Sequence, residues 1–333
     1  MTADVSTLEV AVVGAGLAGL VCAGRLREAG HAVTVFEKSR GPGGRAATRR
    51  EGGLAFDHGA QYFTVRDPEF GRIVERWQAL GVVRRWRGEV AVLGDGGGGA
   101  AGTEVERWVG VPGMSALGRQ LAGELAVRYG TRVAELAREG EVWRLAGDDG
   151  AELGRYQAVV VSAPPAQTAV LLERAAPLVA ARAAGVRMAP CWAVMAAFEG
   201  PLGLPFCGAF VVGGSPLAWI ACNSSKPGRG SELETWVLHA SPEWSAQRLE
   251  DPPEAVGPAL LRAAGELLGR SLDRPVHLRE HRWRYALPLA TLEERCLVDD
   301  SGSIVVCGDW CAGPRIEGAV LSGLAAASAL AGG

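Results

Sequence analysis

The chain has 333 residues, of which 48% are hydrophobic and 21% charged, so it can bury a large core and we expect two domains. Its formal net charge of −3 argues against a nucleic-acid or polyanion partner. The sequence shows neither a signal peptide nor the ~20 consecutive apolar residues of a membrane span, so we expect no membrane partner and a cytoplasmic location.

The N-terminal segment predicts a dinucleotide-binding turn. An apolar run over 8–13 predicts a buried parallel strand, and three glycines with the spacing GxGxxG follow it. The first glycine permits the tight turn, the second lets the backbone approach a pyrophosphate, and the third lets the helix pack closely on the strand. The unpaired N–H groups at the helix N-terminus would hold the phosphates. The residues predicted to form this turn are Gly14, Ala15, Gly16, Leu17, Ala18 and Gly19.

A second strand, over 32–36, leads to an acidic residue. Glu37 lies 18 residues after Gly19 (37 − 19), close to the spacing of the carboxylate that binds a ribose diol. The pair Gly43–Gly44 and Arg45 come next, where backbone N–H groups can reach the same pyrophosphate. The alternative for this stretch is a flexible surface loop with a solvated arginine. Together these features favour FAD as the cofactor.

The middle of the chain changes pattern. An amphipathic helix is predicted over 68–80, and strands near 89–93 and 103–108 flank a run of glycines that predicts a hairpin. A helix over 114–127, a short strand at 132–134, a hairpin and a buried strand at 158–161 are predicted next, and Pro164–Pro165 ends that strand.

Residues 168–290 are predicted to bring alternating strands, over 191–198, 209–212, 217–221 and 235–239. This region holds five of the ten tryptophans, which suits a sheet that walls a pocket. His277 and His281 match the HxxEH pattern of zinc peptidases, but the surrounding alternation predicts a strand. Residues four apart on a strand are about 13 Å apart, too far for one zinc ion, so we expect no metal site. His58 is either a general base or a buried histidine that satisfies loop carbonyls.

The C-terminal segment predicts a strand at 303–307 and a helix from Glu317. The helix N-terminus would lie at the carboxyl edge of the sheet, where it could stabilise the anion of a reduced flavin; the alternative is an ordinary packed helix. Seven scattered cysteines lack a CxxC pair and indicate neither disulfides nor a zinc site. Cys307 is interpreted as a small core residue. Cys311 lies beyond the strand, where a position near the cofactor is the alternative to a role in the core.

Several segments together resemble the bacterial renalase-like proteins of the flavin-containing amine oxidase superfamily. They span the whole chain: the glycine turn, residues 37–48, Asp57–Thr64, Asn223–Arg229, His281–Ala286, Gly308–Cys311 and Arg315–Ala319. The resemblance implies an α/β fold with a discontinuous, Rossmann-like FAD-binding domain. It also implies a second, α+β substrate domain built on a mostly antiparallel sheet. The expected bounds are 1–65, 110–165 and 295–333 for the FAD-binding domain, and 66–109 and 166–294 for the substrate domain.

The resemblance also implies site residues. Arg45 and Gly44 would contact the pyrophosphate, Val133 the adenine, Asp309 the ribityl chain or pyrophosphate, and Gln61 and Tyr62 the isoalloxazine. The other cofactor residues are Lys38, Gly43, Ala60, Gly308, Arg315, Glu317, Gly318 and Ala319. The candidates for the substrate pocket are Tyr62, Trp219, Asn223, Trp236, Trp283 and Tyr285.

The activity that the resemblance implies is oxidation of dihydronicotinamide isomers of NAD(P)H, with oxygen as electron acceptor and hydrogen peroxide as product. Many amine oxidases place a lysine near flavin N5, and Lys226 is the only lysine outside the nucleotide motif. Since Lys226 precedes Pro227–Gly228, a turn signal, we do not expect it to hold a rigid strand position facing N5. A hydride donor needs no base, so we expect no catalytic side chain. The alternatives are an amine or other small-molecule oxidase and a non-catalytic flavin-binding protein.

Overall fold

The computed structural model describes residues 7–95, 99–100 and 105–331. Its strands, in chain order, are β1 (Glu9–Val13), β2 (Ala32–Glu37), β3 (Thr48–Glu51), β4 (Leu54–Asp57), β5 (Val83–Trp86), β6 (Val90–Gly94), β7 (Gly99–Ala100), β8 (Arg107–Gly110), β9 (Ala126–Tyr129), β10 (Val133–Glu139), β11 (Val142–Gly147), β12 (Glu152–Tyr156), β13 (Ala158–Val161), β14 (Met188–Phe198), β15 (Gly208–Val212), β16 (Leu217–Cys222), β17 (Glu234–Ala240), β18 (His277–Pro288), β19 (Leu297–Val298) and β20 (Ile304–Val306).

The helices are α1 (Leu17–Glu28), α2 (Pro68–Ala79), α3 (Ser115–Ala122), α4 (Pro165–Leu172), α5 (Pro177–Ala184), α6 (Pro242–Gln247), α7 (Pro253–Leu268), α8 (Asp309–Ala312) and α9 (Ile316–Ala331), with one 3₁₀ turn at Asn223–Ser225. Among the described residues, none of the helices combines the length and the apolar character that crossing a membrane requires.

The chain divides into two compact units, and the first comprises Met1–Ala46, Leu117–Met188 and Pro288–Gly333. Its main sheet has the order β19-β20-β13-β1-β2-β9, in which all neighbours are parallel except β19 and β20. β13 and β20 are buried along their whole length, as expected of parallel strands covered on both faces. Helices α1 and α9 contribute to the core on one face, and α4, α5 and strands β10–β12 to the core on the other.

The second unit comprises Ala47–Ala116 and Ala189–Leu287. Its sheet has the order β18-β14-β17-β16-β15-β6-β7. The pairs β14–β17, β17–β16, β16–β15 and β6–β7 are antiparallel, whereas β15 and β6 are parallel. Alternate residues point to opposite faces of this sheet. One face carries Val194, Trp236 and Leu238 and packs on helix α7. The other carries Met195 and Val237 and packs on Phe56 of β4.

The fold class that the sequence predicts is confirmed, whereas the compact units differ from the expected domain bounds in four places. The two shorter ones are residues 110–116, which group with the second unit, and residues 288–294, which group with the first. Residues 47–65 group with the second unit, because Leu54 and Phe56 pack against Met195 and Val237 of its sheet. Residues 166–188 group with the first unit, because α4 and α5 cover its parallel sheet. Which unit binds FAD and which binds substrate stays a prediction.

Two local predictions were wrong. The helix expected over 114–127 ends at Ala122, before Gly123 takes a φ of +26°, and residues 126–129 form β9 instead. The strand expected over 103–108 lies partly outside the described residues, and its described continuation, β8, pairs with β5 rather than with β6. The strands expected over 191–198, 209–212, 217–221 and 235–239 are confirmed as β14, β15, β16 and β17, and helices α5, α6 and α7 also lie within 168–290.

Candidate functional site

The glycine turn after β1 has the geometry that its sequence predicts. Gly14 has a φ of +107°, and a β-carbon there would lie 2.4 Å from the carbonyl oxygen of Ser162. A β-carbon at Gly19 would lie 2.2 Å from the carbonyl oxygen of Gly14. Both positions therefore exclude any side chain, the first through the turn and the second through the close packing of α1 on the sheet.

The N-terminus of α1 is open to a ligand. Gly16 is the N-cap residue, and within the described chain no side chain caps the helix and no acidic residue lies in its first turn. Apart from its neighbours in the chain, no described residue has an atom within 4 Å of where a β-carbon of Gly16 would be. Unpaired N–H groups beside open space form an anion site, so this turn fits the pyrophosphate of FAD.

Glu37 ends β2 beside this turn and is buried. Its carboxylate accepts a hydrogen bond from the Ala15 amide at 2.8 Å and one from the Ser39 amide at 2.7 Å. These bonds fix both oxygens next to the glycine turn. Because a carboxylate has about four lone-pair positions, two amide donors leave capacity for the hydroxyls of a ribose.

The loop at 43–45 lies against the same turn. The Gly43 amide donates to the Ala15 carbonyl at 2.7 Å, and Gly43 forms an isolated bridge with Gly16. Arg45 donates to both carboxylate oxygens of Asp309, at 2.9 and 2.6 Å. The loop is therefore held in place, which contradicts the alternative of a flexible surface loop. The ion pair also joins two residues that the resemblance assigned to the cofactor from distant parts of the sequence.

The other predicted cofactor residues of this unit lie in three places. Lys38 is exposed and donates to the Gln167 side chain at 3.1 Å, and Val133 is buried in the core with Phe36. The remaining six follow β20 and lie around the start of α9: Gly308 and Asp309 at the start of α8, and Arg315, Glu317, Gly318 and Ala319 beyond it. A β-carbon at Gly318 would lie 2.0 Å from the Gly313 carbonyl oxygen, so that glycine closes the turn into α9.

Cys307 and Cys311 belong to the core of this unit, and both thiols are buried. Burial raises the pKa of Cys307 to about 12 and raises that of Cys311 well above its usual range. Both side chains therefore stay protonated thiols at neutral pH, which makes them poor nucleophiles and fits core residues.

The second unit carries the predicted substrate residues on one face of its sheet. Trp219 of β16 lies opposite His239 of β17 in the register, so both side chains point to one face. On β18, His281 and Trp283 contact His58, and Tyr285 shares their side of the strand by alternation. We call this side of the sheet the His239 face.

The segment after β4 lies over the His239 face. The ring of Tyr62 lies 5.5 Å from that of Trp219, and Nε1 of Trp283 donates to the His58 carbonyl at 2.8 Å. Ala60 is half-buried in the same segment. Tyr62, Trp219, Trp283 and Tyr285 are thus all found on this face, as expected for the walls of a pocket.

Asp57, at the end of β4, is fully buried, and its carboxylate has four partners. One oxygen accepts from the Thr48 hydroxyl at 2.7 Å and from the Met114 amide at 2.9 Å. The other accepts from Nε of Arg229 at 3.0 Å and from a second nitrogen of the same guanidinium. Nζ of Lys226 lies 3.7 Å from that oxygen. One carboxylate therefore faces two fully buried cations.

Gln61 connects this carboxylate to Lys226. Its amide nitrogen donates to the Asp57 and Gly59 carbonyls, and its amide oxygen accepts from Nζ of Lys226 at 3.0 Å. We call Asp57, Gln61, Lys226 and Arg229 the Asp57 cluster. Since Gln61 uses its amide within the chain, its predicted approach to the isoalloxazine would have to be by contact rather than by these hydrogen bonds.

Lys226 corrects an expectation from the sequence. Although it precedes Pro227–Gly228, its side chain is fixed in a buried network and lies 5.4 Å from the ring centre of Trp86. Burial lowers the pKa of Lys226 to about 8, against the opposing effect of Asp57. The turn signal describes the backbone after Lys226 and says nothing of the burial of its side chain.

Three histidines on this face are neutral at pH 7. Burial lowers the pKa of His58 to about 3 and those of His239 and His281 to about 4. The ring of His58 stacks on Trp283 at 5.1 Å, which favours the interpretation of His58 as a buried packing residue over that of a general base.

Two predicted pocket residues have structural roles instead. Asn223 is fully buried; its oxygen accepts from the Asp57 amide at 3.1 Å and its nitrogen donates to the Ala55 carbonyl at 2.7 Å. Trp236 points to the opposite face of the sheet, into the core under α7, and donates to Glu234 at 2.7 Å. Alternation along β17 explains the second error, because each face of that strand carries both apolar and polar residues.

Asp57, Arg229 and His239 are site residues that the sequence reasoning missed. The signal for the first two was their presence in segments that carry the resemblance, Asp57–Thr64 and Asn223–Arg229. His277 and His281 lie on strand β18, as predicted.

Comparison with known proteins places the chain in a family. Residues 12–77 match the family described as NAD(P)-binding Rossmann-like domain, and residues 93–331 match Flavin containing amine oxidoreductase. Protoporphyrinogen oxidase 2 of Arabidopsis thaliana is 42% identical over 71 residues, which are 21% of this chain and 14% of that protein. The 4,4'-diapophytoene desaturase of Staphylococcus haemolyticus is 45% identical over 60 residues, 18% of this chain and 12% of that protein. The matches thus span a small part of these curated relatives.

The fold itself is shared with solved structures over almost the whole chain. The structure of cyclohexylamine oxidase from Brevibacterium oxydans IH-35A has a TM-score of 0.73 at 14% identity, covering 98% of this chain and 99% of that one. This likeness shows the fold alone. Because the second family match covers most of the chain, the protein belongs to the flavin containing amine oxidoreductase family.

Proposed function

We propose that this protein is a FAD-dependent oxidoreductase of the renalase type, which oxidises dihydronicotinamide isomers of NAD(P)H by hydride transfer to flavin N5. Oxygen accepts the electrons and hydrogen peroxide is the second product. FAD would be held by the glycine turn, Glu37, the 43–45 loop and the start of α9. The main support from the structure comes from the basic groups on the described part of the His239 face. They are either histidines with lowered pKa values or a lysine already bound to other side chains of the chain.

The basic groups on that face decide between substrate classes. An alkyl ammonium ion has a pKa near that of lysine, about 10.4, and must lose a proton before it can be oxidised. The pKa values of His58, His239 and His281 are lowered to about 3–4 by burial, so these rings are poor proton acceptors. A dihydronicotinamide donates a hydride from carbon and leaves as an aromatic cation, so it needs no base.

The chain's own contribution to such a reaction is to position the dihydropyridine ring of the substrate. When bound, the flavin supplies the hydride acceptor and passes the electrons to oxygen. Trp283, Tyr285 and Tyr62 present half-buried aromatic rings on one face, against which a planar dihydropyridine can stack. Holding the reacting atoms about 3–3.5 Å apart can account for much of the rate enhancement of a hydride transfer.

The second candidate is an amine or other small-molecule oxidase, and buried Lys226 is the observation that favours it. An ammonium group fixed at 3.0 Å from Gln61 is rigid enough to hold a water molecule or a substrate amine. Under this alternative, Lys226→Met would abolish amine oxidation. Under the renalase-type proposal, the same substitution would leave hydride transfer from dihydronicotinamide isomers within about tenfold of the original rate.

The experiment that tests the proposal is anaerobic mixing of the flavin-loaded protein with possible donors, followed by the visible absorbance of the flavin. The donors are isomeric dihydronicotinamides, normal NADH and NADPH, and a panel of amines. We expect rapid bleaching by the isomers alone. Bleaching by amines alone would overturn the proposal in favour of the amine oxidase. Bleaching by none of them would leave a flavin-binding protein with a role in interaction or redox sensing.

A further inference from the structure

His281 is a half-buried residue whose ring is fixed by its neighbours. Its imidazole makes edge-to-face contacts with His58 and Trp283, at centroid distances of 4.7 and 4.3 Å. Over residues 7–95, 99–100 and 105–331, neither ring nitrogen of His281 has a hydrogen-bond partner. The ring is therefore held in position while its polar atoms remain available to a ligand, an arrangement that reduces the entropy cost of binding.

The charge around His281 restricts the kind of ligand. Burial is the main reason that the pKa of His281 falls to about 4, and the guanidinium of Arg49 lowers it further. Arg49 has one carboxylate nearby, Glu51 at 3.9 Å, and Glu51 makes a closer ion pair with Arg279. A cationic group such as an ammonium would thus meet a neutral imidazole and a positive guanidinium, which disfavours it.

A neutral imidazole carries one N–H donor and one lone pair. It can donate to the oxygen of a primary carboxamide or accept from its NH₂ group, whichever tautomer is present. The indole of Trp283 next to it is stacked with His58 and hydrogen-bonded to the His58 carbonyl, so its plane is fixed as well. The pair of side chains suits a flat heteroaromatic ring that bears a carboxamide.

We propose that His281 is a substrate-binding residue that recognises the carboxamide of a dihydronicotinamide. This inference rests on the proposed function and names the group through which that substrate class is selected. His281 and Trp283 alternate along β18 with Arg282 and Arg284, which point to the other side of the strand, where both bind Glu250.

The test compares two unreactive ligands that differ in the carboxamide alone. The flavin-loaded protein is titrated with nicotinamide mononucleotide and with the pyridinium ribotide that lacks the carboxamide, and binding is measured by calorimetry. The unmodified protein should bind the carboxamide ligand about tenfold more tightly, the effect of about one hydrogen bond. His281→Phe keeps a planar ring and should abolish that preference, whereas His281→Asn, which retains a donor and an acceptor, should keep part of it.

The matched control is His277→Phe. His277 lies four residues earlier on the same side of β18 and stacks on Phe56 at 5.4 Å, so its replacement should leave the ligand preference unchanged. An unchanged preference in His281→Phe, or equal binding of the two ligands by the unmodified protein, would overturn the inference. If His281→Phe fails to fold, the affinities of the unmodified protein and of His281→Asn for the two ligands still decide whether His281 recognises the carboxamide.

Failure of the proposed function would be seen in a different experiment. In that case no dihydronicotinamide isomer would bleach the flavin of the unmodified protein.

Discussion

Replacing Asp57 by asparagine should destabilise the second unit more than the loss of any exposed ion pair in it. Asp57, Arg229 and Lys226 carry a formal charge of −1 + 1 + 1 = +1, and all three side chains are fully buried. Asp57→Asn raises this to +2 and weakens the bonds from Thr48 and Met114. Removing one partner of a buried ion pair costs about 3–5 kcal/mol, which is the loss we expect in the free energy of unfolding.

A second substitution should recover part of that loss. Two unit charges 3.7 Å apart, the separation of Lys226 Nζ and Asp57 Oδ2, interact by about 4 kcal/mol at an effective dielectric constant of about 20. Lys226→Met in the Asp57→Asn background returns the buried charge to +1. The double variant should therefore be more stable than the sum of the single effects predicts, by about 1–3 kcal/mol.

The assay is urea unfolding at pH 7, followed by tryptophan fluorescence. The matched control is Glu51→Gln, which removes an exposed carboxylate whose partner, Arg279, is also exposed, and should cost less than about 1 kcal/mol. The reasoning is refuted if Asp57→Asn costs no more than Glu51→Gln, or if the effects of Asp57→Asn and Lys226→Met simply add.

Three further predictions concern the pH dependence, the cofactor and the glycine turn. Lys226 has a folded-state pKa of about 8, below its ordinary value of 10.5, so the unfolded chain binds more protons between these pH values. The free energy of unfolding of the unmodified protein, measured with urea, should therefore rise by about 2 kcal/mol relative to that of Lys226→Met between pH 7 and pH 10. A difference between the two proteins that stays constant with pH would contradict this. Glu37→Gln should weaken FAD retention in equilibrium dialysis by about 1–3 kcal/mol, because a charge-assisted hydrogen bond to the ribose is lost, and unchanged affinity would remove Glu37 from the site. Gly19→Ala should lower both the thermal midpoint and FAD retention, because its β-carbon would lie 2.2 Å from the Gly14 carbonyl oxygen, whereas Gly24→Ala, with no described atom within 4 Å, should lower neither.

The first unit could be predicted in most detail because its signals are local. The apolar strand, three glycines and Glu37 lie within 30 residues, and the backbone reasons for Gly14 and Gly19 are borne out by the structure. The end of α3 could not be predicted in the same way. Residues 123–127 are compatible with a helix by composition, and the decision for β9 comes from its pairing with β2, which lies far away in the sequence.

The Asp57 cluster shows what local patterns cannot give. The partners of Asp57 lie 9, 57, 166 and 172 residues away, at Thr48, Met114, Asn223 and Arg229. Nothing in the spacing of these residues indicates that they meet. Similarly, alternation along β17 predicts that Trp236 and His239 lie on opposite faces. Each face carries both apolar and polar residues, so the sequence does not tell which one faces a ligand.

The burial of Lys226 bears on the choice between the two proposed substrate classes. A lysine before a Pro-Gly turn was expected to be a poor candidate for a fixed position, yet the structure buries it completely. Its burial does not by itself favour amine chemistry, because Nζ already donates to Gln61 and faces Asp57. The ammonium group of Lys226 is already bound by two side chains of the chain itself. Holding β4 and the segment after β16 together is a sufficient role for it. The substrate class therefore depends on His281 and its aromatic neighbours, where side chains on the same face have polar atoms that the described chain leaves unused.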